Sequence, residues 1–343
     1  MNYPLFSKEN NSLAKKYLTK EVFETIKDKK TSLGYGLERL IHSGLNNDDS
    51  EIGVYAGDKE SYSTFSLLIS PIIESYHGFT TSSLHKSNMN PEDLDTPNPD
   101  KEGMYILSTR IRVGRNLENM PLGAAISKEE RNRLEAMVVD ALSLLEGELA
   151  GEYYALDGMS KDVQNRLIKD HFLFKEGDRF LEYAGLNRDW PKGRGIYHNI
   201  NKTFLVWVNE EDQLRIISMQ EGGDIKEVFT RLVTAIKRME SRLTFSYSEK
   251  LGYITSCPTN LGTAMRASVH IALPNLSNRM DKFTAITKQY HLQIRGIDGE
   301  HTQSKGHIFD ISNARRLGVT EVQAVEEMYH GVVALIAAEK ALD

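Results

Sequence analysis

The sequence contains a single cysteine, no long apolar run and no excess of basic residues. Because Cys257 has no partner, an internal disulfide and a cysteine-built zinc site are both excluded. One cysteine in a chain of this length indicates a reducing compartment, and we expect a cytoplasmic protein. No apolar stretch reaches the roughly 18 residues that indicate a transmembrane helix, and residues 1–16 are too polar for a secretory signal.

The charge balance also excludes a class of function. The 42 Lys and Arg residues are outnumbered by 48 Asp and Glu residues, so the net charge is −6. A protein that holds nucleic acid over its surface needs a basic field, which this chain lacks. The sequence also has no Walker P-loop and no G-x-G-x-x-G motif, so a P-loop or Rossmann nucleotide site is disfavoured.

The texture of the chain predicts two domains. Residues 1–90 are partly helical, with one amphipathic helix expected over 12–26. Residues 91–103 are rich in Pro, Asn and Asp, and we expect a linker there. Residues 104–343 alternate β-rich runs with helices that begin at capping boxes at Ser127, Asp224 and Thr320. The β-rich runs over 203–208 and 214–220, with a polar stretch between them, predict a hairpin. Their hairpin pattern, without βαβ alternation, predicts an α+β domain with a largely antiparallel sheet.

Arginines recur on the predicted strands. Because strand side chains alternate between faces, Arg110 and Arg112 share one face of the strand over 105–113. Arg215, Arg266 and Arg295 lie in three further β-rich runs. Arginine binds phosphate through a planar fork of donors, so neighbouring strands of this kind would form a polyphosphate site. Pairing with the many carboxylates is the alternative, and spacing alone does not exclude it.

A tight loop, Cys257-Pro258-Thr259-Asn260-Leu261-Gly262-Thr263, follows the run over 252–256. A lone cysteine is usually a small buried hydrophobe. The hydroxyl of Thr259, two residues on, instead favours a stabilised thiolate. An acidic turn, Asn209 to Asp212, and a glycine-rich polar loop, Gly296 to His301, are two further candidate segments. His171 is by default structural.

These segments together resemble the phosphagen (guanidino) kinases over nearly the whole chain. The motifs that carry the resemblance are Ser108-Thr109-Arg110-Ile111-Arg112, Trp190-Pro191, Gly193 to Asn199, Thr203 to Asp212, Arg215 to Gly223, Cys257 to Thr263, Arg266 to His270, Arg295-Gly296, Gly299 to Thr302 and Asp310 to Asn313. The resemblance implies a small all-α N-terminal domain and a larger, glutamine synthetase-like domain with an antiparallel sheet flanked by helices. It also implies reversible transfer of the γ-phosphoryl group of MgATP to a guanidino nitrogen.

The resemblance also implies a nucleotide site, in which Mg²⁺ is held by the phosphates and water rather than by protein ligands. Its residues would be Ser108, Thr109, Arg110, Ile111, Arg112, His171, Arg215, Arg266, Ala267, Ser268, Val269, His270, Arg295, Gly296, Ile297, Asp298, Gly299 and Glu300.

The acceptor site implied by the resemblance has a catalytic set and a loop. The catalytic set would be Glu211, Glu300 and Cys257, which would also contact the guanidinium. The loop, Glu51-Ile52-Gly53-Val54-Tyr55, would bind the rest of the substrate; it is short, as in the arginine-specific branch of the family, which implies L-arginine. Glu51 and Ile52, and Asp298 in the closing loop, depart from that branch's usual residues.

Other interpretations stay open at this point. Taurocyamine or lombricine is the alternative acceptor within the family; a protein-arginine kinase and an inactive binder are less favoured. The resemblance further implies an interdomain ion pair between Asp49 and Arg179, and either a monomer or a homodimer. Nucleic acid and membranes are not expected partners.

Overall fold

The computed structural model describes residues 1–176, 178–296 and 306–342. The N-terminal part is helical. Its helices are α1 to α5, in order Leu13–Tyr17, Lys20–Ile26, Leu37–Asn46, Ser61–Thr64 and Ser66–His77. The single helix expected over 12–26 is two helices. Leu18 leaves helical geometry and is fully buried, and the side chain of Thr19 caps the second helix by accepting from the Val22 amide.

The larger domain is built on an eight-stranded sheet within the described chain. Its strands, β1 to β5 and β8 to β10, are Ile106–Arg115, Gly151–Ala155, Gly195–Asn199, Phe204–Val208, Leu214–Glu221, Met265–Ala272, Leu292–Arg295 and Ile308–Asn313. A separate small ribbon, β6–β7, is Tyr247–Ser248 and Gly252–Tyr253. In the sheet, every neighbouring pair is antiparallel, in the order β2-β3-β4-β5-β1-β8-β10-β9. The predicted antiparallel sheet and its β4–β5 hairpin are therefore confirmed.

Helices flank this sheet, at Lys128–Leu142, Lys161–Lys169, Arg179–Tyr183, Ile225–Met239, Met280–Gln289 and Glu321–Lys340 (α6 to α11). The capping boxes predicted at Ser127 and Thr320 begin α6 and α11. Asp224 caps α9, whose apolar side packs into the main core. In the described chain, no helix is both long enough and apolar enough to cross a membrane.

A second core joins the N-terminal helices to the larger domain. It combines buried side chains of α1 to α5 with Leu122, Leu186, Ile254, Cys257 and Leu317. The segment over 91–103, which we expect to be a linker, is hydrogen-bonded to the start of the larger domain. The Asp100 carboxylate accepts hydrogen bonds from the amides of Met104, Tyr105 and Ile106, at 2.6–3.0 Å, and so fixes the start of β1. The domain limits at 1–90, 91–103 and 104–343 stay a prediction.

Candidate active site

Three neighbouring strands, β5, β1 and β8, bring their arginines onto one face of the sheet. Arg112 lies opposite Arg266 across the β1–β8 pair, and Gly114 lies opposite Arg215 across the β1–β5 pair. Because Gly114 is two residues from Arg112, all these side chains share a face, and glycine leaves room beside them. These three arginine-bearing strands are therefore neighbours, which is the condition for a polyphosphate site on this face.

Carboxylates neutralise two of these arginines. Asp310 on β10 lies 2.7 Å from Nη2 of Arg266, and its second oxygen lies 3.5 Å from Nε2 of His270. Burial alone would raise the pKa of Asp310, but the hydrogen bond from His270 and the charge of Arg266 outweigh burial and lower it. Arg215 lies 3.1 Å from Glu210 and 3.3 Å from Glu211.

The two β1 arginines on this face, Arg110 and Arg112, have little negative charge near them. Within the described chain, neither Arg110 nor Arg112 has a carboxylate within 4.0 Å. Burial, followed by the charges of Arg215 and Arg266, lowers the pKa of Arg110 to about 10 and also lowers that of Arg112. The Trp207 ring lies 5.8 Å from the Arg110 guanidinium. Such a concentration of cations is stabilised by a bound polyanion.

The acidic turn after β4 lies beside this face and is bonded to the cysteine loop. Oδ1 of Asp212 accepts from Nδ2 of Asn116 and from the amide of Ser256, both at 2.8 Å. Burial, together with the charge of Asp212, raises the pKa of Glu211 to about 8. This carboxyl is therefore mainly protonated at neutral pH, and a cation beside it would favour the ionised form.

Cys257 is a neutral thiol in the structure. Its Sγ lies 3.1 Å from Oγ1 of Thr259, the contact that the spacing suggests. Burial and the charge of Glu211 nevertheless raise the thiol pKa to about 12, although the Thr259 contact lowers it. The thiolate interpretation is therefore wrong for the free protein, because desolvation and a neighbouring carboxylate outweigh one hydroxyl.

The loop expected to bind the acceptor is held by the N-terminal helices. Gly53 has a φ of +74°, a left-handed conformation that favours glycine, and it lies against Gly44, where a Cβ would come within 2.3 Å of the Gly53 carbonyl. The next residues reach the cysteine loop, since the amide of Ala56 donates to the Ser256 carbonyl at 2.8 Å. Tyr55 is buried, and its pKa is raised by that burial and by the charges of Cys257 and Glu211.

The loop's variable side chains point to different surroundings. Ile52 and Val54 are buried in the core shared with the N-terminal helices. Glu51 is exposed and lines an open cavity of about 450 Å³, together with Asp49 and Tyr76. The departure at Glu51 thus adds negative charge to this open cavity.

The remaining predicted residues do not all share the arginine face, since Ile111, Ala267 and Val269 are buried in the main core. Ser108, Thr109 and Ile111 lie on β1, and Ala267, Ser268 and Val269 lie on β8. His171 is exposed after α7; the next residue, Phe172, accepts a hydrogen bond from Nε1 of Trp207 at 2.8 Å. Arg295 lies opposite Asp310 at the end of β9, with Gly296 next. Ile297, Asp298, Gly299 and Glu300 lie outside the described residues.

The expected Asp49–Arg179 contact is present. Nη1 of Arg179 donates to Oδ1 of Asp49 at 2.8 Å, and both side chains are more than half exposed. The pair joins the segment after α3 to the first residue of α8, and so bridges the two domains.

Three residues of the site carry no role in the sequence interpretation: Asp310, Asp212 and Trp207. Asp310 and Asp212 stand in the recognised motifs, but acids are common and spacing does not show which ones face an arginine. Because side chains alternate along β4, Trp207 lies on the same face as Arg215, its partner in the ladder. Strand alternation, combined with the register of the ladder, is the only signal that identifies it.

Comparison with known proteins agrees with this geometry. Two family models match, ATP:guanido phosphotransferase N-terminal domain over residues 8–74 and its C-terminal catalytic domain over residues 133–342. The chain belongs to the ATP:guanido phosphotransferase family. Arginine kinases of the shrimps Penaeus vannamei and Penaeus monodon are 54% and 55% identical to it, over 96% of this chain and 93% of each relative.

Solved structures of other guanido phosphotransferases have the same fold. A lombricine kinase superposes with a TM-score of 0.93 at 37% identity, over 99% of this chain and 95% of that one. The duplicated taurocyamine kinase of Schistosoma mansoni superposes with a TM-score of 0.91 at 42% identity. The match covers 97% of this chain, which spans about half the length of that duplicated enzyme, 47%.

Proposed function

We propose that this guanido phosphotransferase is an arginine kinase, which transfers the γ-phosphoryl group of MgATP reversibly to the guanidino group of L-arginine. The observation that carries the proposal is the junction of two unlike surfaces. A cationic sheet face meets the partly buried carboxyl of Glu211 and the buried thiol of Cys257, next to the loop over 51–55. Phosphoryl transfer requires mainly alignment and charge stabilisation, and the two surfaces supply both.

On the nucleotide side, the arginines hold the triphosphate. On this face of β1, Arg110 and Arg112 have no carboxylate within 4.0 Å in the described chain, and the polyphosphate relieves their mutual repulsion. Asp310 positions Arg266 and His270 through its two oxygens. Mg²⁺ enters as part of the nucleotide substrate, bound to phosphate oxygens and water. Arg295 and the segment after it complete the nucleotide site.

On the acceptor side, Glu211 orients the guanidinium by paired hydrogen bonds, with Glu300 as the second carboxylate. The substrate cation lowers the pKa of Glu211 and so favours its ionised form. The Cys257 thiol lies beside the same group. The loop over 51–55 and the Tyr55 hydroxyl bind the amino-acid end. Glu211 accepts the proton that the guanidinium loses, and orientation contributes more than base strength because a carboxylate is a weak base for a guanidinium.

The choice of L-arginine rests on similarity as well as on the loop. The shrimp relatives named as arginine kinases share more than half of their residues with this chain, whereas the lombricine and taurocyamine kinases share 37% and 42%. Taurocyamine and lombricine are the second candidates, because these enzymes share the fold at TM-scores above 0.9.

A coupled assay of MgADP release tests the proposal. L-arginine, taurocyamine, lombricine, creatine and glycocyamine are compared at matched concentrations, and we expect L-arginine to give the highest kcat/KM. Preference for another guanidine keeps the family but overturns the substrate, with Glu51 and Ile52 the first positions to revert. Binding of MgATP without turnover on any small guanidine overturns the proposal in favour of a protein acceptor or an inactive binder.

A further inference from the structure

A small cavity lies at one end of the arginine face and includes an arginine that has no role in the site described above. Its lining consists of Arg112, Val113, Gly114, Asp212, Arg215, Asn260, Ala264, Arg266 and Arg316. The cavity volume is about 20 Å³, which is room for about one water-sized group, such as a single phosphoryl oxygen. Arg316, between β10 and α11, comes from none of the arginine-bearing strands.

Arg316 is held firmly in place. Its side chain is buried, with 7% exposed, and its Nη1 donates to the Thr259 carbonyl at 3.2 Å. Its own carbonyl accepts from the Thr263 amide at 2.9 Å. Gly262 makes that approach possible, because a Cβ there would come within 2.2 Å of the Arg316 carbonyl. The cysteine loop and Arg316 therefore form one rigid unit.

The charges around the cavity do not balance. Arg266 is paired with Asp310, and Arg215 with Glu210 and Glu211. Among the residues that the structure describes, Arg112 and Arg316 have no carboxylate within 4.0 Å, and Asp212 is the only acid in the lining. Two cationic guanidinium groups, the buried one of Arg316 and the partly buried one of Arg112, line the same small cavity and indicate an anionic ligand there.

The position of the cavity shows which part of the nucleotide it receives. It lies at the end of β1 marked by Val113 and Gly114, next to Asn260 of the cysteine loop, whereas Arg110 lies further back along the strand and is not in the lining. The acceptor groups, Glu211 and Cys257, lie at this same end. A phosphate group that places an oxygen in the cavity is therefore the phosphate of the nucleotide that lies nearest the acceptor.

We propose that Arg316 is a further phosphate-binding residue, which contacts the γ-phosphoryl group as it passes to the guanidine. The inference rests on the proposed function and adds to it a specific ligand for this side chain. The competing interpretation is purely structural, in which Arg316 only supports the cysteine loop through Thr259.

Nucleotide affinity separates the two interpretations without requiring turnover. Arg316→Met keeps the length of the side chain and removes its charge, and Arg316→Lys restores a point charge. By calorimetry in the absence of a guanidine, we expect Arg316→Met to weaken MgATP about tenfold while MgADP changes less than about twofold. Arg315→Met is the matched control, because the neighbouring Arg315 is half exposed and paired with Glu327.

Nitrate gives a second readout, since this planar anion has the shape of the metaphosphate-like group in transfer. In the wild type, nitrate should tighten MgADP binding in the presence of L-arginine, and in Arg316→Met that effect should be lost. We expect kcat to fall about 100-fold, with partial recovery in Arg316→Lys. Equal effects on MgATP and MgADP, or an unchanged nitrate effect in a folded Arg316→Met variant, would overturn the inference.

The two proposals fail in different ways. A wild type that turns over no guanidine contradicts the proposed function, and the ratio of MgATP to MgADP affinity still judges Arg316. A wild type that phosphorylates L-arginine while Arg316→Met keeps that ratio contradicts the role of Arg316 alone. A faster or slower reaction of Cys257 with a thiol reagent, as the only change in Arg316→Met, would support the structural interpretation and overturn ours.

Discussion

The nucleotide half and the acceptor half of the site are built by opposite means. In the nucleotide half, arginines stand on central strands whose ladders fix their positions, and cations exceed the carboxylates beside them. In the acceptor half, Glu211 and Cys257 stand on loops that are joined by side-chain hydrogen bonds, and burial raises the pKa of each. The nucleotide half therefore has excess positive charge that a bound anion neutralises. The acceptor half is protonated, and a bound cation favours loss of a proton.

This difference determines how each half responds to the loss of one group. Removing a cation from the strands leaves the backbone unchanged but removes transition-state stabilisation directly. Removing an acid from the loops changes both the contact with the guanidinium and the proton balance of the free protein. The two halves are therefore distinguished by which substrate is affected and by the pH dependence of the effect.

The largest effect is expected for Arg112→Met. This variant removes a partly buried cation that lines the cavity at the acceptor end and has no compensating carboxylate within 4.0 Å in the described chain. We expect kcat/KM for MgATP to fall about 1,000-fold, the upper range for loss of one preorganised donor. Steady-state kinetics with varied MgATP measures this. Arg242→Met, which removes an exposed arginine 3.9 Å from Asp140, should leave kcat/KM unchanged.

Glu211→Gln should have the next largest effect, and on the other substrate. The variant keeps the shape of the side chain but loses one charge-assisted bond to the guanidinium, so kcat/KM for L-arginine should fall about 100-fold. The affinity for MgADP should change little. Glu210→Gln is the matched control, because Glu210 also contacts Arg215 and has the same side-chain exposure of 16%. Equal losses in the two variants would show that the effect comes through Arg215.

The pH dependence of L-arginine binding tests whether Glu211 is protonated before the substrate binds. Burial raises the pKa of Glu211 from 4.5 to about 8, so the free folded protein holds this proton across a window in which the unfolded chain does not. The stability contributed by the group is complete below pH 4.5 and is lost as the pH rises towards 8. A bound guanidinium reverses this by favouring the carboxylate.

We therefore expect L-arginine binding at pH 6.5 to release about one proton. Calorimetry of L-arginine binding to the MgADP complex, in buffers with different ionisation enthalpies, measures the number. In Glu211→Gln the release should disappear, and thermal unfolding should become less dependent on pH between about 5 and 8. Release that is unchanged in Glu211→Gln would assign the proton to another group, with Asp212 the nearest candidate.

The two halves also differ in how far the sequence alone predicts them. Period-two alternation is enough to place Arg110 and Arg112 on one face, and the register of the neighbouring strands adds Arg215 and Arg266 to that face. The helix starts at Ser127 and Thr320 are equally local signals. Such features are predictable because a few adjacent residues determine them.

The acceptor half depends instead on contacts between distant segments. The protonation of Cys257 depends on burial and on Glu211, 46 positions away in sequence, and a local motif with Thr259 gives the wrong sign. The break at Leu18 has the same origin: the apolar period continues through 12–26, but burial of Leu18 and the cap at Thr19 divide the helix. Pattern does not show which of two local possibilities the tertiary packing selects.

The smallest effect is expected at the contact that bridges the domains outside both halves. Asp49 and Arg179 form a hydrogen-bonded ion pair, but both side chains are mainly exposed, so solvent and salt weaken their attraction. We expect Asp49→Asn to shift the thermal midpoint by less than about 2 °C, and less still at high salt. The effect on kcat/KM should stay within about threefold, far below that of Arg112→Met.

A double-mutant cycle with Arg179→Met measures the coupling between Asp49 and Arg179. The opposite result would be a large loss of kcat in Asp49→Asn, together with recovery of kcat in the charge-swapped variant Asp49→Arg with Arg179→Asp. That result would show that this surface contact controls domain closure, so that activity depends on more than the two halves of the site.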